Sequence, residues 1–334
     1  SGYLFHLFNR IFCRAKNLDQ LLLLILFAMG FLSALLMNDT LAIIGTPLML
    51  YLAQALRISP KLLLLTLAFA VTTGSAMSPI GNPQNLLIAI NGSLTNPFLV
   101  FFQYLFIPTV ANLVLAYLLL RLFYKSQFQQ TAIEIPKECI SDPTLANISR
   151  ISIILLLILI LAKVLAVTVQ SSQHFSLTYI AIFSALPVIL FSSRRWEIMK
   201  HIDWCTLVFF AAMFVLMDSV WRSGFFQSMM EESSLGFGSI PVILALSVFL
   251  SQIISNVPFV ALFQPLLINP SAQDLMALAA GSTIAGNLFI LGAASNVIII
   301  QNAEKSGETL TFLDFARVGV PLTALNVFVY WIFL

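Results

Sequence analysis

Apolar runs of membrane-crossing length fill this chain, and two short polar interruptions lie in the middle of them. Leu21-Leu22-Leu23-Leu24-Ile25-Leu26-Phe27 precedes the pair Asn38-Asp39, and Leu41-Ala42-Ile43-Ile44 follows it. Ser255-Asn256-Val257-Pro258 interrupts a second run in closely similar surroundings. An unsatisfied amide or carboxylate in hydrocarbon costs several kcal/mol, so polar groups at such positions are functional candidates by default. Their recurrence in two halves of one chain is the mark of a secondary transporter built from internal repeats.

The same pattern predicts the elements. An amphipathic arm covers 1–16, and an apolar pair, 18–37 and 40–56, meets at Asn38-Asp39. A helix from about Lys61 breaks at Ser78-Pro79-Ile80-Gly81-Asn82-Pro83-Gln84-Asn85, resumes to Ile90, and is followed by a span at 97–124. Residues 125–149 form the one sustained polar stretch and read as a solvent-exposed linker. Spans at 150–169 and 177–193 connect it to a helix at 204–222, a second arm at 223–235 and a second apolar pair at 237–255 and 258–269. An interrupted helix at 273–303 and a last span at 311–334 complete the chain. The expected architecture is an all-α polytopic membrane protein of two repeats, 1–124 and 204–334, joined by the linker and the connecting spans 150–203.

The repeats align without gaps, 33–50 on 251–268 and 72–88 on 283–299. Ser33 then falls on Ser251, Asn38 on Asn256, Pro47 on Pro265, Thr72 on Thr283, Gly81 on Gly292 and Asn85 on Asn296. Repeat two has helix 204–222 ahead of its Ser223-Gly224-Phe225 arm, whereas repeat one opens at the arm Ser1-Gly2-Tyr3. The repeat alone therefore leads us to expect a further apolar N-terminal helix in the intact protein.

Charge orients the repeats. If each apolar pair returns to the side it left, one side collects Arg10, Arg14, Lys16, Arg57, Lys61, Arg121, Lys125, Lys137, Arg150, Arg194, Arg195, Lys200, Lys305 and Arg317. The other side keeps Arg222 and two uncharged loops. Basic residues favour the cytoplasmic side, which places the linker there and makes the repeats inverted. Charge does not distinguish a spanning pair from a re-entrant hairpin; the polar tip favours re-entrance.

Composition narrows the chemistry. The chain is 60% hydrophobic and 9% charged, which excludes an ordinary soluble domain. A net charge of +2 gives no reason to expect nucleic acid. Cys13, Cys139 and Cys205 are far apart, without metal-ligand spacing, and no His-Glu-x-x-His, Gly-x-Ser-x-Gly or Walker motif occurs. No enzyme and no resident cofactor are expected. Broken helices instead expose carbonyls that bind cations and amides that bind anions. The sequence supplies that set twice, as Asn38, Asp39 and Thr40 with Ser78, Gly81, Asn82, Gln84 and Asn85, and as Ser255 and Asn256 with Gly292, Ser295 and Asn296. Gly74, Pro79, Gly81, Pro83, Gly286 and Gly292 are the expected breakers. Sodium is the cation expected at Asn38, Asp39 and Asn85 and at Ser255, Asn256 and Asn296. Isolated Thr66, Asn112 and Asn326 read as interhelical glue. Asp39 has no cation near it in sequence, and Val257 stands at the matching place in repeat two. A carboxylate buried there should hold a cation or take up a proton.

These motifs resemble the ion transporter superfamily, which holds divalent anion–sodium symporters, citrate transporters, arsenite-efflux permeases and some sodium/proton antiporters. The stretch Ile202-Asp203-Trp204-Cys205-Thr206-Leu207 is also typical. The resemblance implies two inverted repeats with re-entrant hairpins and discontinuous helices, a homodimer, and a bacterial inner-membrane location. In the symporters each tip is Ser-Asn-Thr; here the tips are Met37-Asn38-Asp39 and Ser255-Asn256-Val257. The expected function is secondary transport of a small inorganic or carboxylate anion coupled to sodium or protons. Sodium/proton exchange and an anion channel are the alternatives.

Overall fold

The computed structural model describes residues 3–92, 94–129, 142–168, 177–200, 204–225, 227–228 and 238–334. Helices dominate, because in hydrocarbon a helix satisfies its backbone groups within its own segment. In order they are α1 (Tyr3–Phe12), α2 (Leu18–Leu36), α3 (Asn38–Leu56), α4 (Pro60–Ser75), α5 (Pro83–Asn91), α6 (Pro97–Phe123), α7 (Pro143–Thr168), α8 (Leu177–Phe191), α9 (Arg195–Lys200) and α10 (Trp204–Arg222). Then come α11 (Ile240–Ile254), α12 (Asn256–Phe263), α13 (Ala272–Ile284), α14 (Ala294–Glu304) and α15 (Phe312–Phe333). Five helices among the described residues are long and apolar enough to cross a membrane: α2, α3, α6, α7 and α15.

Local chemistry sets the ends. The side chains of Asn17, Asn82 and Asn96 accept from Gln20 N, Asn85 N and Leu99 N at the starts of α2, α5 and α6. Pro83 and Pro97 occupy first-turn positions where a missing N–H costs nothing. Reciprocal capping boxes, Ser271 with Asp274 and Thr311 with Asp314, open α13 and α15. One boundary differs from expectation: α7 starts at Pro143, inside the stretch assigned to the linker. Asp142 caps it, accepting from Leu145 N at 3.0 Å. The second arm, 223–235, lies for the most part outside the described residues.

The chain forms two compact units. One holds Ser1–Arg10 and Lys137–Ala212, in which α7 and α8 pack side by side. The other holds Ile11–Pro136 and Met213–Leu334 and contains every candidate site residue. At its centre lie α4, buried continuously over Leu62–Ser75, and α13, buried over Leu275–Ile284. Over those buried stretches both helices are mainly apolar, with hydroxyl residues such as Thr73, Ser75 and Thr283 as the exceptions. The hairpin α2–α3 packs along α4, and α11–α12 packs along α13. The returning arms cross over: α3 lies against α14, and α12 lies against α5. Helices α6 and α15 pack on each other. One face of α6 carries Leu99, Phe102, Val114, Leu118 and Leu122, all exposed, as a lipid-facing stripe requires.

Gly74 is not a breaker, because α4 runs through it to Ser75. A side chain there would collide with the backbone of Gly30, so the two glycines are where α2 and α4 touch main chain to main chain. We expect Gly74→Ala to lower thermal stability in detergent. Alanine gains up to about 1 kcal/mol of helix propensity, but overpacking at a rigid contact costs about 1–3 kcal/mol. A variant as stable as wild type would show that the contact yields.

Candidate functional site

Each hairpin turns through one strained residue. Met37 has φ 66° and ψ 143°, and Ser255 has φ 68° and ψ 161°. This region is close to glycine-only, and holding a larger residue there costs on the order of 1–3 kcal/mol. The two residues occupy matching places, each immediately before its asparagine. The strain lets a helix end and another begin with no intervening loop, so Asn38 and Asn256 open α3 and α12. Asp39 and Thr40 consequently lie in the first turn of α3 rather than in a break.

Asn38 joins three segments. Its backbone N–H donates to Gly81 O at 2.9 Å, its Oδ1 accepts from Asp39 N at 3.0 Å, and its Nδ2 faces Ser295 Oγ at 3.5 Å. The first tip thus reaches the first break and the start of α14. Helix N-termini carry partial positive charge and unpaired amides, so the meeting of α3 and α14 favours an anion.

The breaks are stitched by carboxamides. Asn85 Nδ2 donates to Ser75 O, Ala76 O and Ser78 O at 3.2, 3.3 and 3.0 Å. Asn296 Nδ2 donates to Gly286 O at 2.7 Å, and Gly286 is the residue aligned with Ser75. Gln252 Nε2 donates to Ala285 O at 2.8 Å, so Gln252 and Asn296 grip adjacent carbonyls of one turn. A carbonyl only accepts, which fixes the amide nitrogen toward it and leaves the amide oxygen on the far side. The buried oxygens of Gln252, Asn296 and Asn256 have no hydrogen-bond partner among the described residues. Neutral oxygens of this kind suit a hard monovalent cation. No cluster of three or more His, Cys, Asp or Glu occurs among the described residues, so a multi-carboxylate metal centre is not formed there.

A further set was not legible in the sequence. Thr283 Oγ1 accepts from Asn82 Nδ2 at 3.1 Å and donates to Asn85 Oδ1 at 3.3 Å. Asn82 Nδ2 also reaches Ser75 Oγ at 3.0 Å, and Asn287 Nδ2 contacts Thr73 Oγ1 and Asn326 Oδ1, both at 3.0 Å. The one available signal for Thr283 was its alignment on Thr72. Asn326 is glue as expected, whereas Thr66 bonds Leu62 O of its own helix.

The remaining candidates divide. Ser78, Gly81, Asn82, Gln84, Asn85, Asn256, Gly292, Ser295 and Asn296 are buried. Asp39 is half-buried with no ion-pair partner among the described residues, and Thr40 and Ser255 are exposed. The bonds bring together Asn38, Gly81 and Ser295, and separately Asn82, Asn85 and Thr283. No hydrogen bond among the described residues joins Asn256 to either group.

Apolar helices of crossing length, enclosing polar interruptions, make this a multi-pass membrane protein. The chain belongs to the citrate transporter family, whose model matches residues 1–274. It is similar to a 46 kDa membrane protein of Mycobacterium leprae, 26% identical over 94% of this chain and 76% of that protein. An uncharacterized transporter of Mycobacterium tuberculosis (H37Rv) is 28% identical over 92% of this chain and 75% of its own length. The P protein of Homo sapiens is 25% identical over 88% of this chain but only 46% of that protein. These findings agree with the ion transporter superfamily and identify a transporter rather than an enzyme.

Removing the Thr283 hydroxyl should uncouple the first break from α13. Thr283→Val leaves Asn82 and Asn85 short of partners and should cost about 1–3 kcal/mol, with Thr283→Ser recovering most of it, read by thermal unfolding in detergent. Equal stability of the valine variant would show that the bridge contributes nothing.

Proposed function

We propose that the chain is a secondary active transporter that moves a small inorganic or carboxylate anion across a bacterial inner membrane, coupled to sodium or protons by alternating access. The observation that carries this reading is Asn38. It sits at a hairpin tip, bonds the break of its own half, and faces the first turn of α14 in the other half. An anion held between the N-termini of α3 and α14 would touch both halves and could be released to either side as they move.

The finer architecture belongs to the same proposal. Two inverted repeats with re-entrant hairpins account for the crossed packing of α3 on α14 and α12 on α5. The eight residues of α12 and the 3-10 turn Gln264–Leu266 that continues it extend about 18 Å, at ~1.5 and ~2.0 Å per residue, against a hydrocarbon core about 30 Å thick. An arm that short favours a hairpin that turns back within the membrane. The charge asymmetry of the sequence supports a cytoplasmic position for the linker 125–149, and the family resemblance supports a homodimer.

Coupling follows from Asp39. A bare carboxylate in the first turn of α3 opposes an anion held at that helix's N-terminus. Neutralising Asp39 with sodium or a proton removes that repulsion, so anion and cation bind together. A second cation is supported by the unpartnered oxygens of Gln252, Asn256 and Asn296.

Proteoliposome uptake, measured against a panel of inorganic and carboxylate anions under imposed sodium and pH gradients, tests the reading. Uphill anion accumulation driven by one cation gradient is expected. Flux that no gradient drives uphill would indicate a channel, and sodium movement with no anion present would indicate an antiporter. Asp39→Asn should abolish the dependence on one cation gradient while the protein stays folded, whereas Asn256→Ala should weaken anion binding in every gradient. Fully coupled transport by Asp39→Asn would assign the carboxylate a structural role.

A further inference from the structure

The end of α6 that carries its basic residues forms a cavity of about 460 Å³, lined by Leu118, Arg121, Leu122, Lys125 and Phe128. Its walls have two characters. Leu118 and Leu122 continue the exposed apolar stripe of α6, at 49% and 68% exposure, on a helix long and apolar enough to cross a membrane. Arg121 and Lys125, one helical turn apart, stand where the span ends.

The cavity is built rather than incidental. Arg121 Nε lies 3.1 Å from Asp19 Oδ1, and the Tyr117 hydroxyl donates to that same oxygen at 2.5 Å. This clamp holds the guanidinium through Nε, with the Arg121 side chain 53% exposed. The 3-10 turn Lys125–Gln129, which carries Phe128, is pinned by Ser59 N donating to Gln127 Oε1 at 3.2 Å. Among the described residues, charge at this end is unbalanced. Asp19 and Asp314 are matched by Arg121 and Lys61, while Lys125 and Arg317 have no carboxylate partner among the described residues. Arg317 instead lies 5.3 Å from the centre of the Phe123 ring.

We propose that this cavity binds one anionic phospholipid, its phosphate between Arg121 and Lys125 and its acyl chains along Leu118 and Leu122. Paired cations above an apolar wall at the end of a span match a charged headgroup on hydrocarbon tails. A free phosphate could satisfy the cations but would gain nothing from the leucines.

The test uses the full chain, purified and titrated with lipid while bound lipid is counted by native mass spectrometry. Phosphatidylglycerol should be retained in preference to phosphatidylcholine, and Lys125→Gln should weaken that retention about fivefold, the effect of one interfacial basic residue. Lys125→Arg should restore it. Lys125→Met, which keeps the apolar stem, is the second variant should the glutamine variant fail to fold, and it should lose retention equally. Equal retention of the two lipids, or retention unchanged in both uncharged variants, would overturn the proposal. So would displacement of phosphatidylglycerol by millimolar inorganic phosphate, which would show a free-anion site.

Discussion

A peptide group cannot be left unpaired in hydrocarbon, yet this chain stops four helices inside apolar runs, at Leu36, Ser75, Ile254 and Ile284. Much of the central architecture follows from how those ends are satisfied. Side-chain carboxamides do most of it: Asn85 covers three carbonyls of the first break, and Asn296 and Gln252 cover two of the second. A carboxamide suits this task because it donates through one atom and keeps an acceptor on the other. The residues that make the breaks tolerable are therefore also the residues that present oxygens beside them. Support of the break and a nearby acceptor oxygen come from the same side chain, through different atoms.

The two halves solve the problem unequally. In the first, Thr283 of α13 closes the acceptor of Asn85, and Ser75 helps to close Asn82. In the second, the oxygens of Asn296 and Gln252 stay unpartnered among the described residues. Asp39, the one carboxylate among the candidate site residues, belongs to the half whose Asn82 and Asn85 amides are already engaged. An approximate sequence repeat thus carries two chemically distinct environments, consistent with one half answering to a charge that must be neutralised and the other to neutral oxygens.

How much of this was legible in the sequence depended on the range of the interaction. Apolar run length and the cap signals Asn17, Asn82-Pro83 and Asn96-Pro97 are local, and the ends of α2, α5 and α6 fall within a residue or two of expectation. The Asp142-Pro143 cap is equally local, but it lies within a polar stretch, where run length gives no helix start. What a sequence does not display is what a residue meets after folding. Gly74 reads as a breaker until Gly30 is placed against it. Met37 carries no sign that it adopts a glycine-like conformation. Thr283 is one threonine among many until two asparagines from the other half converge on it. Among the candidate residues, those at the breaks stand out in the sequence because Gly, Pro and Asn cluster there.

The contact between Gly30 and Gly74 has a mechanical consequence. One turn before Gly30 on α2 stands Leu26, and one turn after it stands Ala34, so a slip by a turn would drive a side chain into the backbone of α4. The two helices are keyed together and cannot ratchet past one another. A displacement that slides α2 along its axis therefore carries α4 with it.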